Sequence, residues 1–446
     1  MKKILQSIGI LFFLFCSAGI VAQPITISED KDWAAQQAFL SNTTEADYIV
    51  RIGDIDNLGF GWPDNFDPFC GRMTDTHGYP WEVNNADLPG FDRILLSSLY
   101  KTSREQLCGS DGYSNAYNET TSKPVTYNIP TDKLKNLTIS NAYLQIFIDD
   151  FQSPSLCSRF QVTLNNKRFT EAERIINAID QTGPVGKLIS IPLPEDYYTD
   201  ISSLPFMKLY IDDIKGSGDG FAIDFIRLLI NRKRENTCKG SFSGRVLEKN
   251  TEQAISGAMV WLADKTTVTT DGEGRFTIKE IPTGFEVVSA SATGYNEGYA
   301  TADIGKGEDN PEITIYLEKG KKAVFDKKNI VVGQAITLEN ILFDQGKALL
   351  KPGSKPVLEN VISFLKANPG AEIELSGHTS SEGEPAMNRS LSYRRVKACK
   401  DFIIAGGIDA GRVTASGYGA DRPVAPNDTE VNRALNRRVE MRLLKL

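Results

Sequence analysis

The amino-acid sequence predicts a multidomain protein, with two all-β sandwiches on the N-terminal side and a C-terminal α/β domain of order βαβαββ. The length of 446 residues corresponds to roughly two to four domains of ordinary size. Short β-rich runs separated by Gly, Asn, Asp and Pro fill the first two thirds of the chain, whereas helical periodicity occurs at 356–366 and 387–405. Hydrophobic residues make up 41% and charged residues 24%, a globular composition that excludes a wholly disordered, collagen-like or coiled-coil protein.

The first 22 residues have the layout of a secretory signal peptide. Two lysines precede an apolar run over residues 4–15, and Ala22 is a small residue at the expected cleavage position. An uncleaved membrane anchor and a lipoprotein attached at Cys16 are the alternatives. Because the apolar run is short for a spanning helix and the residue before Cys16 is bulky, we expect cleavage and export.

The cysteines fit an exported protein, since export places the chain in a compartment where disulfides form. Cys70, Cys108, Cys157 and Cys238 are expected to form two disulfides, and the sequence leaves all three pairings open. Cys399 lies in an apolar helical stripe and is expected to be a buried thiol. No Cys-x-x-Cys pair occurs, so a zinc or thioredoxin-like site has no support.

Residues 23–236 are predicted to form the first β-sandwich, because strand-like runs such as 142–148 alternate with turn residues. The segment 58–81 concentrates Phe, Tyr and Trp among Gly, Pro and Asp. Trp62 and Trp81 are candidate carbohydrate-binding residues, because aromatic faces beside carboxylates stack on sugar rings. The alternative is that these aromatic side chains fill the core beneath a long loop.

Carboxylates gather at the ends of strand-like runs in the same region. Similar acid pairs end the runs 146–150 and 209–213. Further acids are Asp54, Asp56, Asp219 and Asp224. Such oxygen ligands suit a structural Ca²⁺ ion, although their spacing is not that of an EF-hand, and the alternative is a set of solvated loop carboxylates. No other metal or cofactor is expected, and the strand 219–231 resembles the last strand of galactose-binding-like sandwiches.

Residues 238–318 are predicted to form a second, smaller sandwich, in which Asp271 and Gly274 supply the turn between two alternating strands. An ordered set of motifs runs through it, G-x-V, G-A-x-V, T-D-x-x-G-x-F, I-P-x-G and G-Y. The motif residues are Gly244, Val246, Gly257, Ala258, Val260, Thr270, Asp271, Gly274, Phe276, Ile281, Pro282, Gly284, Gly294 and Tyr295. This pattern resembles the carboxypeptidase regulatory-like (transthyretin-like) domain, which implies a spacer or interaction module without chemistry of its own.

Residues 319–335 are predicted to be a basic linker and residues 336–446 the C-terminal α/β domain. Its strands are expected at 336–343, 371–375, 413–419 and 438–444. Five motifs then occur in order, FDQGKALL (343–350), ELSGHTSSEG (374–383), NRSLSYRR (388–395), GYGADRPVAPND (417–428) and NRRVEM (436–441). Together they resemble the OmpA-like peptidoglycan-binding domain over the whole segment.

The resemblance implies a site that grips the free carboxylate and amine of the diamino acid in the peptidoglycan stem peptide. The arginine of the family maps to Arg395, whose guanidinium can meet a carboxylate with two parallel hydrogen bonds. The carboxylate of the family should stand at Ser380, and Glu382 is the nearby acid that can replace it. The other positions that the resemblance assigns to the site are Thr379, Asn388 and Arg437.

The charge distribution agrees with a wall-binding C-terminal region. Residues 321–446 hold 20 basic and 14 acidic side chains, a net charge of +6, whereas the remaining residues hold 30 and 43, a net charge of −13. A basic domain on an acidic body suits an anionic partner. The prediction is a non-enzymatic, periplasmic protein associated with the outer membrane and cell wall, anchored to peptidoglycan and presenting β-sandwiches.

The alternative is a carbohydrate- or protein-binding adhesin, whose site lies in the first sandwich and whose wall-binding region is degenerate. Glycans or outer-membrane proteins are further candidate partners. No enzyme is expected, because G-x-S-x-G, H-E-x-x-H and P-loop motifs are absent. No nucleic-acid partner is expected either, because the basic residues lack interleaved exposed aromatics and the chain is predicted to be exported.

Overall fold

The computed structural model describes residues 28–70, 73–78, 86–99, 123–181, 185–217, 220–233, 238–264, 266–307, 310–320, 322–326, 328–344 and 346–446. The predicted signal peptide, Trp81, Cys108 and Asp219 lie outside these residues. Within them, no helix is both long and apolar enough to span a bilayer. The architecture confirms the predicted fold class, two regions of stacked β-sheets followed by an α/β domain.

The first region is a sandwich of two antiparallel sheets. Its strands are β1 (Gln37–Ser41), β2 (Ala46–Ile52), β3 (Leu95–Leu96), β4 (Thr126–Pro130), β5 (Ala142–Asp149), β6 (Phe160–Leu164), β7 (Lys167–Arg168), β8 (Lys187–Pro192), β9 (Phe206–Asp213) and β10 (Gly220–Arg232). Three short helices are α1 (Ser153–Leu156), α2 (Thr170–Ile176) and α3 (Tyr198–Ser203). The sheet β1-β2-β10-β5-β8 packs against β4-β9-β6-β7, and aliphatic and aromatic side chains of both sheets fill the space between them.

Strand β10 lies at the centre of the larger sheet and contains a β-bulge. Its register against β5 shifts between Ile223 and Ile226, so that Asp224 and Phe225 lie opposite a single residue, Phe147. A bulge of this kind bends the strand and changes the direction of the side chains within it. Asp224 therefore sits at an irregular position although the strand around it is fully buried.

The second region is a seven-stranded sandwich. Its strands are β11 (Lys239–Glu248), β12 (Met259–Trp261), β13 (Thr267–Thr269), β14 (Arg275–Pro282), β15 (Gly284–Ser291), β16 (Gly298–Ile304) and β17 (Ile313–Leu317). The sheet β14-β11-β17 packs on β16-β15-β12-β13 around Phe242, Val260 and Ile315. Strand β15 also pairs with β8 of the first sandwich at Phe285 and Ile189, so the sheets of the two regions are continuous.

A disulfide between Cys70 and Cys238 joins a loop of the first sandwich to the start of the second. Cys157 is also disulfide-bonded, and its partner lies outside the described residues. Cys399 is a buried free thiol on a helix of the C-terminal domain, as the apolar stripe around it predicts.

The C-terminal domain has one mixed sheet covered by helices. Its elements are β18 (Lys322–Phe325), β19 (Lys328–Val331), β20 (Ala335–Thr337), α4 (Lys355–Ala367), β21 (Glu372–His378), α5 (Pro385–Ala405), β22 (Val413–Gly419), α6 (Glu430–Asn436) and β23 (Val439–Lys445). The sheet order is β20-β23-β21-β22, with β21 and β22 parallel. Apolar side chains of α4, α5 and the sheet form its core, among them Leu358, Val396 and Leu375.

Three predictions for this domain need correction. The predicted linker 319–335 contains the antiparallel pair β18–β19, whose Phe325 and Ile330 are buried in the core of the domain, because the apolar residues among its lysines alternate. The strand predicted at 336–343 shortens to β20. The helix α6 intervenes before the last strand, so the observed order is βαβαβαβ from β20 onward.

Helix α5 contacts the first sandwich as well as its own sheet. The Ser390 hydroxyl donates to the Glu195 carboxylate at 2.7 Å, and the Tyr393 hydroxyl donates to Asp196 at 3.1 Å. On the other face of the C-terminal sheet, Arg442 donates to the Ser291 hydroxyl of the second sandwich at 3.2 Å. A cavity of about 370 Å³ lies where the three regions meet. The helix that carries Arg395 is therefore fixed against the rest of the molecule.

Candidate functional site

Close packing of α5 against the end of β21 positions the C-terminal candidate site. A Cβ atom on Gly377 would approach the Ser392 carbonyl oxygen to 2.5 Å, so only glycine allows helix and strand to lie this close. The amide N–H of Gly419 donates to the Ser392 hydroxyl at 2.9 Å, which ties β22 to the same helical turn. Because residues three apart share a helix face, Arg395 lies beside this contact.

Arg395 is held in place by carbonyl groups and has no carboxylate partner within the described residues. Its Nε donates to the Lys347 carbonyl at 3.0 Å and its Nη2 to the Asp344 carbonyl at 3.1 Å. The guanidinium also lies 5.2 Å from the centre of the Phe343 ring. Burial, and then the nearby Arg437 guanidinium, lower the pKa of Arg395. The site therefore contains a positioned cation that has hydrogen bonds but no counter-charge among the residues described.

A small cavity of about 20 Å³ opens beside Arg395, large enough for roughly one water-sized group. The residues around it are predominantly basic or apolar, and they are Ile341, Phe343, Gly377, His378, Ser392, Arg395, Arg437, Arg438 and Val439. Three guanidinium groups and an imidazole thus line one recess. Such a recess favours an anionic group of small size, for which a carboxylate is suited.

The loop after β21 places Glu382 next to Ser380. The Ser380 hydroxyl donates to a Glu382 carboxylate oxygen at 3.0 Å, and the Ser380 side chain is buried whereas Glu382 is exposed. The Asn388 side-chain amide donates to the backbone carbonyls of Ser380 and Glu382 at 3.4 and 3.0 Å, which fixes the loop to the start of α5. The structure therefore brings a carboxylate to the serine where the resemblance places one.

Arg433 of α6 and Arg437, the residue that follows this helix, both lie beside Glu382. Arg433 Nε lies 3.4 Å from one Glu382 oxygen, and Arg437 Nη1 lies 3.7 Å from the other. Both arginines also pair with Glu430, which leaves two acids among two bases at the surface. Glu382 is thus a carboxylate whose charge is partly shared, and it remains open to solvent for a further cation.

His378 and Thr379 form the buried floor of the same loop. The His378 ring stacks on Tyr418, with centroids 5.6 Å apart, and its Nε2 lies 3.6 Å from a Glu440 oxygen. The His378 imidazole, together with the Arg438 guanidinium, lowers the pKa of Glu440 to about 2. The buried Thr379 hydroxyl has no hydrogen-bond partner among the described residues.

Sequence reasoning missed Asn436 and Arg433. The fully buried Asn436 accepts from the amides of Val424 and Ala425 at 2.8 and 3.1 Å and donates to the Ala425 carbonyl at 2.8 Å. It fixes the loop that carries Asn427, whose side chain accepts from the Ser381 amide. Asn436 is the first residue of the N-R-R motif, so the sequence identifies the residue. Its hydrogen bonds to the loop at 424–427 depend on the fold and could not be predicted from the motif.

Trp62, a candidate carbohydrate-binding residue of the first sandwich, is partly buried among other aromatic rings. Trp62 stacks on Phe66 with ring centroids 5.6 Å apart and contacts Trp33 and Phe147 edge to face. Its indole N–H donates to the Ile55 carbonyl at 3.1 Å. These contacts use both the ring and the N–H, which agrees with the core-packing alternative rather than with a sugar platform. Trp81, the other candidate, lies outside the described residues.

Acidic side chains of the first sandwich converge at a second place. Oxygen atoms of Asp54, Asp56, Asp92 and Asp224 all lie within 4.8 Å of one another. Three of these acids belong to the sequence-based set, and Asp92 was missed because it lies in a separate loop. The acid pairs that end β5 and β9 take other roles: Asp149 contacts His77 at 2.9 Å, and Asp213 accepts backbone amides.

Comparison with known proteins confirms the resemblances of the second and third regions. Residues 342–437 match the model of the OmpA family, and residues 242–325 match that of the CarboxypepD_reg-like domain. The C-terminal region is therefore an OmpA-like domain, preceded by a carboxypeptidase regulatory-like domain.

Relatives with known names are matched over about a quarter of this chain. The outer membrane porin F of Pseudomonas fluorescens is 42% identical over 110 residues, 24% of this chain and 34% of the relative. The peptidoglycan-binding protein ArfA of Mycobacterium bovis is 36% identical over 107 residues, 24% of this chain and 33% of the relative. The chain thus spans about a third of these relatives. The solved cell wall anchor of the T6SS from Pseudomonas aeruginosa is 29% identical, with a TM-score of 0.23, covering 25% of this chain and 80% of that one.

Proposed function

We propose that this protein is a non-enzymatic component of the cell envelope that is anchored non-covalently to peptidoglycan through its OmpA-like domain. The two β-sandwiches are presented from that anchor. The observation that carries the proposal is Arg395, a guanidinium fixed by two carbonyls beside a small basic recess and lacking a carboxylate partner among the described residues. The proposal also places the protein in the periplasm, after export directed by residues 1–22.

The ligand that fits this site is the diamino acid of the stem peptide. Its free carboxylate would enter the recess and pair with Arg395, replacing carbonyl contacts with charge-assisted hydrogen bonds. Its amine would be received by Glu382 and the Ser380 hydroxyl, which are already 3.0 Å apart. The diamino acid is thus recognised at both of its free charged groups.

The departure from the family pattern at Ser380 is compensated by Glu382. A serine can hydrogen-bond an ammonium group but cannot neutralise it, whereas Glu382 supplies the missing negative charge two residues later. The Arg433 and Arg437 guanidinium groups lie 3.4 and 3.7 Å from the same carboxylate and compensate part of its charge. We therefore expect this site to bind the amine of the ligand more weakly than a site with an aspartate at position 380 would.

A sedimentation assay with purified peptidoglycan sacculi tests the proposal on the full chain. Wild type should sediment with sacculi, and soluble muropeptides from the same sacculi should release it. Arg395→Ala should weaken binding at least tenfold, because a charge-assisted hydrogen bond contributes about 1.5–3 kcal/mol. The matched control is Arg394→Ala, which removes the adjacent exposed arginine, bonded to Ser390 on the same helix, and should leave binding unchanged.

Two outcomes would contradict this function. If folded wild type stays in the supernatant at low salt, the OmpA-like domain does not anchor the protein. If Arg394→Ala and Arg395→Ala weaken sedimentation equally, binding is a general charge effect and not recognition by the recess.

A further inference from the structure

We propose that Asp54, Asp56, Asp92 and Asp224 bind one Ca²⁺ ion in the first sandwich. Their oxygens lie within 4.8 Å of one another. Two oxygens that each lie about 2.4 Å from one ion are at most about 4.8 Å apart, so the spacing of the four carboxylates meets the distance limit for ligands of one shared ion. The ligand set contains only carboxylates, which favours a hard cation over zinc or copper.

The fold brings these acids together from three separate segments. Asp224 comes from the bulge in β10, Asp54 and Asp56 from the loop after β2, and Asp92 from the segment before β3. The Asp224 carboxylate accepts from the backbone amides of Asp56, Asn57 and Leu58 at 3.2–3.4 Å, so the loop wraps around it. The cluster is therefore organised around Asp224 of the central strand, which three backbone amides of the loop after β2 contact.

Asp54 supplies an observation independent of the clustering. Its side chain is only 6% exposed, and its Oδ1 atom is buried without a hydrogen-bond partner in the described structure. A buried carboxylate oxygen without a donor is costly unless a cation or proton compensates it. Since this oxygen has no partner within the described part of the protein, it points to a ligand at the cluster.

Three acids of the cluster have no basic partner within the described residues. Asp54, Asp56 and Asp224 form no ion pair there with lysine, arginine or histidine, in contrast to the buried Arg51–Asp30 and Arg227–Glu45 pairs of the same sandwich. Burial first, and then the neighbouring carboxylates, raise the pKa of Asp92 to about 12 and also raise the pKa values of Asp56 and Asp224. A divalent cation removes that repulsion, and half-buried Asp56 lies on the side open to solvent.

Calcium suits the site better than magnesium. Ca²⁺ accepts six to eight oxygen ligands in irregular geometry, whereas Mg²⁺ demands an octahedron with oxygens at about 2.0–2.1 Å. A Mg²⁺ ion would require the carboxylate oxygens to come closer together, which the hydrogen bonds from the backbone amides of residues 56–58 to Asp224 oppose. We therefore expect one Ca²⁺ per chain, with water completing its coordination, and much weaker binding of Mg²⁺.

Isothermal titration of the EDTA-treated and desalted full chain with CaCl₂ tests the proposal. Wild type should bind one ion, and Ca²⁺ should raise the midpoint of thermal unfolding because it binds only the folded state. Asp54→Asn should weaken Ca²⁺ binding at least tenfold, since it removes one charge and keeps the shape of the side chain. The matched control is Asp212→Asn, a buried acid of the same sandwich outside the cluster, which should bind Ca²⁺ like wild type.

The thermal midpoint without metal distinguishes an ion site from a protonated cluster. If folded wild type shows neither Ca²⁺ heat nor a midpoint shift, while Asp54→Asn raises the metal-free midpoint, the acids are protonated and the proposal is wrong. If Asp54→Asn binds Ca²⁺ as tightly as wild type, the ion lies elsewhere and the proposed ligand set is also wrong. Sacculus binding is measured separately, so failure of the ion site leaves the anchor function untouched.

Discussion

The acidic cluster of the first sandwich and the basic recess of the OmpA-like domain gather charges of opposite sign, and they differ in how far neighbouring groups compensate these charges. In the cluster, four carboxylates converge, and the three acids Asp54, Asp56 and Asp224 have no ion-pair partner among the described residues. In the recess, Arg395 is held by carbonyl oxygens, and beside the recess Arg433 and Arg437 share Glu382 and Glu430. Like charges gathered without compensation therefore indicate a ligand of the opposite sign, whereas mixed charges at a surface largely compensate each other.

The two regions also differ in how they are held. The loop that carries Asp54 and Asp56 leads to Cys70, which is bonded to Cys238 of the next domain. The recess rests instead on the close contact of Gly377 with α5 and on the buried amide of Asn436. One region depends on a covalent bond formed by oxidation, and the other depends on packing and hydrogen bonds alone.

Removal of the disulfide should have the largest effect and should act on one region only. The variant Cys70→Ser with Cys238→Ser opens a loop with a sequence separation of 168 residues. We expect the first sandwich to lose about 2–5 kcal/mol of unfolding free energy, because long cross-linked loops restrict the unfolded chain most. Urea titration with tryptophan fluorescence measures this, since three of the four tryptophans precede residue 237 and the fourth, Trp261, lies in the second sandwich. Sacculus binding should be unchanged. If the variant also lost sacculus binding, the first sandwich and the OmpA-like domain would not be independent.

Removing or moving the Glu382 carboxylate beside the recess should have an intermediate effect, on sacculus binding by the OmpA-like domain. Glu382→Gln should weaken sacculus binding about tenfold, or about 1.4 kcal/mol, because the ammonium loses its counter-charge. Ser380→Asp combined with Glu382→Gln should restore binding, since it moves the carboxylate to the position of the family. Ser380→Asp alone places two carboxylates about 3 Å apart and should help less. Unchanged binding by Glu382→Gln would refute the role of this carboxylate.

The smallest expected effect concerns Glu440 beneath the recess. Its pKa is lowered from 4.5 to about 2, so its stabilising contribution is present above pH 4.5 and is lost as the pH falls through about 2. We expect about 1 kcal/mol, reduced from the full shift because the carboxylate is partly solvated. Urea unfolding at pH 7, 5 and 3 should show a flatter pH profile for Glu440→Gln than for wild type. Glu359→Gln, an exposed acid on α4, should keep the wild-type profile.

The C-terminal site was accessible from sequence because its residues come from short ordered motifs. Arg395, Ser380 and Asn388 were assigned through the resemblance of these motifs to the OmpA-like domain. The contact between Ser380 and Glu382 needed only a two-residue separation. Arg433 escaped because α6, which carries it, was not expected between the last two strands.

The acidic cluster was only partly accessible, because it depends on tertiary pairing. Asp54 and Asp224 were chosen for their residue type at strand ends, but their neighbourhood is set by β2 pairing with β10 and by the bulge at Asp224. No periodicity in the sequence locates Asp92 beside them. The predicted linker 319–335 failed for a related reason, since seven of its 17 residues are apolar but their burial depends on the core they join.

If the C-terminal domain is anchored to the wall as proposed, the Cys70–Cys238 bond also sets the path of mechanical load through the protein. Tension applied between the C-terminal anchor and the first strand would pass from residue 70 to residue 238 through one sulfur–sulfur bond. The intervening 168 residues of sequence separation, roughly 570 Å of extended chain, would be excluded from stretching. Strands β3 to β10 would then carry no tension along the chain while the ends of the molecule are pulled apart. The maximum extension of the oxidised protein would therefore be shorter than that of the reduced protein.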